Sequence, residues 1–215
     1  PLLGVKPDQV EAKDHRLQVK GYPQRNMHIG DVANHARMVS GQPPIGSASF
    51  NPATVALDPE TGQGKPFATY VYATQIAEVD VDDETGEVDV LRIVASHDCG
   101  TAINPMLVEG QIHGGVVQGF GQIVMERVVF DEDGQLLSGS FMDYAMPRAT
   151  DFPRFELSGT VTPTPVNPLG AKGVGEAGTL GSTPCIVSAA VDALSPFGVK
   201  HVDMMLRPEK LWRII

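Results

Sequence analysis

Polar and apolar residues alternate from Ala68 to Asp82 and again from Glu87 to Ser96, and the intervening Asp83-Glu84-Thr85-Gly86 is turn-forming. That period of two predicts a β-hairpin. A shorter hairpin is expected around Asp14-His15, between Val10–Lys13 and Arg16–Lys20. From Ile29 to Val39 the period changes to that of a helix, with Val32, Ala36 and Val39 on one side. Met106 to Met125 predicts a second helix: Ile112, Val116, Phe120 and Ile123 form its apolar face, while Gln111, Gly115, Gln118 and Gln122 form a polar-and-small one. Five glycines in that segment cost helix stability, up to about 1 kcal/mol each, unless a neighbour or ligand comes very close. Val128–Phe130 and Gln135–Ser140 read as a second hairpin, Arg154–Thr162 as a returning strand, and Gly198–Met205 as a short strand. Ser182-Thr183-Pro184 looks like a helix start, with Cys185–Leu194 as the helix, and Arg207–Trp212 begins a terminal one. Strands and helices mix without regular βαβ alternation, so the expected fold class is α+β.

Between these elements, Gly41–Pro66 is long and rich in Gly, Pro, Ser and Asn, which divides the chain into an N-terminal segment, 1–66, and a larger portion, 67–215. With 215 residues, 42% of them hydrophobic, there is enough for one real core or two small ones. A formal net charge of −10 argues against nucleic acid and anionic membrane surfaces as partners. No apolar run approaches the ~20 residues of a membrane span. Two cysteines make neither a disulfide framework nor a zinc pattern, and suggest reduced thiols in a cytoplasmic protein. The first residue is Pro1 rather than Met, and Pro1-Leu2-Leu3-Gly4 looks internal, so a fragment or split subunit is expected.

The chemistry concentrates in Gly170-Ala171-Lys172-Gly173-Val174-Gly175-Glu176-Ala177-Gly178. Its glycines allow a backbone that lies close against a flat or charged group, and Glu176 is its lone carboxylate. The same residues spell G-x-G-x-x-G, with Asp203 about 25 positions on. A dinucleotide site would need a buried strand leading into the loop, whereas Thr162-Pro163-Thr164-Pro165-Val166-Asn167-Pro168 precedes it. A plain Gly-rich turn is the third reading. Upstream, His97-Asp98-Cys99-Gly100 carries ligand-type side chains in a spacing that matches no metal set, and reads better as a strand end followed by a tight turn.

The ordered set Ala77-Glu78-Val79-Asp80-Val81-Asp82, His97-Asp98-Cys99-Gly100 with Ile103-Asn104-Pro105, Glu109-Gly110-Gln111-Ile112-His113-Gly114-Gly115, Asp143-Tyr144 with Met146-Pro147, and Lys172-Gly173-Val174-Gly175-Glu176 resembles the molybdenum hydroxylases. These include xanthine dehydrogenase, aldehyde oxidoreductase and the aerobic carbon monoxide dehydrogenase large chain. The likeness runs nearly the whole length and corresponds to the C-terminal part of a molybdopterin-binding subunit.

That resemblance implies a molybdenum–molybdopterin cofactor, either plain or as the cytosine dinucleotide, and oxidation of an aldehyde, N-heterocycle or related small molecule with water as the oxygen source. It makes Glu176 the catalytic base, and Gln111, Lys172, Gly173, Val174 and Gly175 cofactor-binding residues; no residue of this chain is expected to bind metal directly. Iron–sulfur clusters and FAD would sit on partner domains or subunits. The remainder of the molybdopterin-binding subunit would complete the site, so this chain is expected to be inactive alone. Cys99 and Cys185 are expected to be buried structural thiols.

Overall fold

In the computed structural model, which describes residues 2–41 and 44–215, Asp14 and His15 both take positive φ (48° and 59°). This two-residue turn matches the twist of the strands it joins, β1 (Val10–Lys13) and β2 (Arg16–Val19). β3 (Tyr22–His28) adds antiparallel to β2. Helix α1 (Ile29–Ser40) follows, capped by the His28 ring, whose Nδ1 accepts the Gly30 amide at 3.1 Å. These elements form one compact unit, Pro1–Asn51; the second is Pro52–Ile215. The span 44–71 contains no helix or strand, only an isolated bridge between Val55 and Lys65.

The second unit is built on β4 (Tyr72–Val81) and β5 (Val88–Asp98), the hairpin foreseen from the alternation. β6 (Phe155–Gly159) pairs with β5 in parallel, Ile93 beside Phe155 and His97 beside Gly159. Helices α2 (Pro105–Val124) and α3 (Ala177–Ala193) and a short α4 (Pro208–Trp212) complete it. Ile93 and Ala95 of β5, Ile112, Val116, Phe120 and Ile123 of α2, Ile186 and Ala190 of α3, and Leu194, Val202, Leu206 and Leu211 form one core. The apolar face read for α2 is the buried one, and the mixture of helices and sheets is α+β as expected.

Three expectations are corrected. Helix α3 begins at Ala177, not Cys185, and Pro184 lies inside it. The Ser182 and Thr183 hydroxyls do not cap; they bond back to the Thr179 carbonyl at 3.4 and 2.9 Å, a helix-interior use of such side chains. Close packing on α2 outweighs the bond lost at the proline. The second hairpin shrinks to a single bridge, Phe130 to Leu136. Its turn forms, with Asp131 Oδ1 accepting the amides of Asp133 and Gln135, but the Ser138 hydroxyl accepts the Val129 amide and interrupts the ladder. Finally, 198–205 is not a strand. It is held by burial of Val202 and Leu206 and by the Leu206 amide bonding to the Ile123 carbonyl at 2.8 Å.

Candidate functional site

Two of the five glycines of α2, Gly115 and Gly119, are explained by α3, and Gly121 by Glu126 and Pro147. A Cβ on Gly115 would lie 3.0 Å from Gly178 Cα and Thr179 N, and one on Gly178 would lie 2.7 Å from the Ile112 carbonyl oxygen. One turn along, Gly119 lies against Ser182. The two backbones therefore touch, and the first turn of α3 is pinned to α2. The Thr179 hydroxyl strengthens this seam through contacts at 3.0 Å with the Gly115 carbonyl and Gln118 Oε1. From the sheet side, Gln75 Nε2 donates to the Gly178 carbonyl (3.0 Å) and lies 3.4 Å from His97 Nε2.

Glu176 occupies the N-cap position of this pinned helix. Its carboxylate makes no capping hydrogen bond and the residue is exposed. Immediately before it, the amides of Gly173, Val174, Gly175 and Glu176 itself make no hydrogen bond to any described residue. Val174 packs its side chain on the core, while Gly173 has open space where a Cβ would be. A Cβ on Gly175 would sit 3.5 Å from Gln111 Nε2, so the loop and the head of α2 meet there. A cavity of about 260 Å³ opens between them, lined by Gln111, Lys172 and Val174 together with Cys99, Asn104 and Leu107.

The loop enters from an anchored end. Gly100 and Ala171 form an antiparallel bridge, with the Thr101 amide bonded to the Gly170 carbonyl (3.0 Å) and the Lys172 amide to the Cys99 carbonyl (2.8 Å). Gly100 has φ 65° and presses on the Gly170 carbonyl, a place only glycine fits. The Lys172 ammonium is turned from Glu176 to Asp98, at 2.9 Å, and lies 5.1 Å from the Tyr72 ring centroid. Both charged side chains are buried, at 5% and 8% exposure. Asp98 also accepts the Gly100 amide (2.9 Å), the Thr160 hydroxyl (3.1 Å) and the Thr162 amide (3.1 Å). Thr162, Lys172 and Gly100 hold its carboxyl far below the ordinary carboxylate range.

The structure thus brings Gln111, Lys172 and Val174 around one cavity, with Gly175 beside Gln111 and Glu176 at the next position in the loop. Sequence reasoning placed Asp98 at a strand end before a tight turn, where it is, but gave it no partner, and it passed over Gln75 and Tyr72. Nothing in one sequence links position 98 to 172; the nearest signal was an aspartate set at the end of a strongly apolar strand. Cys99 is buried and Cys185 half-buried, both as free thiols, and burial raises the Cys185 thiol pKa. Among the described residues, no group of three or more His, Cys, Asp or Glu could hold a metal, and no helix is long and apolar enough to cross a membrane. No strand leads into the loop, which removes the dinucleotide reading.

Compared with known families, residues 1–153 match the one described as "Molybdopterin cofactor-binding domain". The chain belongs to this family. As a molybdopterin-binding domain of the molybdenum hydroxylases, it is 38% identical over 212 residues to the carbon monoxide dehydrogenase large chain of Hydrogenophaga pseudoflava, covering 99% of this chain and 25% of that one. Over the same length it is 42% identical to the nicotine 6-hydroxylase large subunit of Paenarthrobacter nicotinovorans, again covering 99% and 25%. Among solved structures it resembles quinoline 2-oxidoreductase from Pseudomonas putida 86, with a TM-score of 0.78 and 31% identity over 100% of this chain and 26% of that one. The domain spans about a quarter of the length of these relatives.

Proposed function

We propose that this domain supplies the catalytic base and part of the cofactor cradle of a molybdenum hydroxylase that oxidises an aldehyde, N-heterocycle or related small molecule with water as the oxygen source. The observation that carries this reading is the free Glu176 carboxylate at the head of α3, preceded by loop amides with no partner among the described residues. These amides, and the side-chain amide of Gln111, fit a polar, flat pterin that approaches where Gly173 and Gly175 carry no side chain. Lys172 and Val174 wall the cavity beside it.

A molybdenum–molybdopterin cofactor, plain or as the cytosine dinucleotide, would supply the electron sink and the activated water-derived oxygen. The domain's own part would be to hold the Glu176 carboxylate beside the cofactor as the group that accepts a proton. Gln111 and the amides of Gly173 to Gly175 orient the cofactor against the carboxylate. The remainder of the molybdopterin-binding subunit completes the cradle, and iron–sulfur and FAD subunits carry the electrons away. Two free thiols fit a cytoplasmic setting.

The test is Glu176→Gln in the complete enzyme. Molybdenum and pterin content should stay normal while turnover falls by about 10²–10⁴-fold or more. Near-normal turnover at full metal occupancy would end the assignment.

A further inference from the structure

The reading above gives Lys172 no role beyond the cavity wall. Its amide is bonded to the Cys99 carbonyl and its ammonium to Asp98, so both donors are directed into the protein. Asp98 in turn is a buried node. Its carboxylate receives the turn after β5 through Gly100, the segment after β6 through Thr160 and Thr162, and the Gly-rich loop through Lys172. Three stretches of chain, already joined pairwise by the Gly100–Ala171 bridge and the end of the β5–β6 ladder, therefore also meet on a single charge.

Four residues past Lys172, Glu176 must be held in place for chemistry. The residues between offer little for this purpose: Gly173 and Gly175 have no side chains, and Val174 alone of them packs on the core. The first backbone bond within the segment is the 3.2 Å contact from the Ala177 amide to the Val174 carbonyl. The far end is fixed at Gly178 and Thr179 by Gln75 and the α2 seam. A short loop held at both ends has few conformations left, and its near end is fixed by the backbone bond from Lys172 to Cys99 and, through the side chain, by the ion pair.

We propose that the Asp98–Lys172 pair is a positioning device for the Glu176 carboxylate, so that both residues govern turnover through that carboxylate. The inference rests on Glu176 being the base. Removing either partner leaves the other charge buried and unpaired, which loosens the node rather than merely weakening one contact. A displacement of about 1 Å at a reacting group costs on the order of 10²-fold in rate.

The experiment compares Lys172→Met, Asp98→Asn and the double variant in the complete enzyme. Its readouts are kcat, KM, molybdenum per subunit, and amide hydrogen exchange over residues 173–181. Each single variant should lose about 10²-fold in kcat, with KM and molybdenum content held within about two-fold and exchange over 173–181 accelerated. The double variant should be no worse than the worse single one, because the two residues act as a unit. Additive losses, or loss of molybdenum in Lys172→Met alone, would show that Lys172 acts on the cofactor by itself and would overturn the proposal. Thr160→Val covers the case in which a charge variant fails to fold, since it removes one hydrogen bond from Asp98 and leaves both charges paired. It should lower kcat several-fold and speed the same exchange, and unchanged kcat and exchange would overturn the proposal. Glu176→Gln, run alongside, separates the two claims. If it retains turnover, the base assignment fails and this inference with it. If it abolishes turnover while the pair variants change neither kcat nor exchange, only the pair's role fails.

Discussion

Lys172 and Glu176 are four residues apart and live in opposite conditions. Lys172 is buried, paired with a carboxylate, set over an aromatic ring and bonded through its amide. Glu176 is exposed, caps nothing, and follows amides that bond no described residue. On the proposed reading, a loop that was saturated throughout could hold no cofactor, and one bare throughout could not place a base. The difference between the two halves shows how the domain keeps donors unspent while fixing where they point.

The comparison breaks most severely at the helix seam. Gly115→Leu would drive a side chain into the backbone of Gly178 and Thr179. Overpacking costs typically about 1–3 kcal/mol, and here the obstacle is main chain, so the effect should sit at or above that range. In the complete enzyme we expect a lower melting temperature and substoichiometric molybdenum; normal values of both would separate the seam from the site. Gln111→Ala should act more mildly, since it deletes one donor beside Gly175 and leaves the packing alone. The expected outcome is reduced cofactor retention on dilution, by about ten-fold for a hydrogen bond of roughly 1.5 kcal/mol, with an unchanged melting temperature. Full retention would remove Gln111 from the cradle.

The smallest effect is acid-dependent and sharpens the other half. The Asp98 carboxyl is held far below its unfolded value of about 3.9 by Thr162, Lys172 and Gly100. A depressed pKa contributes stability that is fully present above the unfolded value and is lost as pH falls through the folded one. The melting-temperature gap between the wild type and Asp98→Asn should therefore be flat from about pH 5 to 8 and should narrow below about pH 4. A gap that widened on acidification would contradict the assignment of a charged carboxylate to the node.

Much of this architecture follows from local periodicity. The alternation on either side of Asp83-Glu84-Thr85-Gly86 was enough for β4 and β5, and the 3.6-residue spacing of Ile112, Val116, Phe120 and Ile123 for the buried face of α2. The crowding of glycines in α2 called for a close neighbour but could not say which, because the residues that meet Gly115 and Gly119, Gly178 and Ser182, are distant in the chain. The same limit explains the start of α3. Ser182-Thr183-Pro184 carries the local signature of a cap, and it was overridden by packing between two backbones. In the candidate site, the Gly-rich loop and Glu176 announced themselves by composition. The Asp98 node did not, since its partners at positions 100, 160, 162 and 172 are assembled only by folding.

The contact between Gly115 and Gly178 also limits how this sequence can change over time. Where a large side chain faces a small one, a lineage can exchange their sizes in two steps, each tolerable. Here both positions already carry the smallest residue, and each one's missing Cβ is space occupied by the other's main chain. No second change can compensate for a first, because nothing smaller than glycine exists to make room. Drift at this seam therefore has no neutral path, and the placement of the carboxylate two residues before Gly178 is inherited as a matter of volume, independent of any ligand the loop meets.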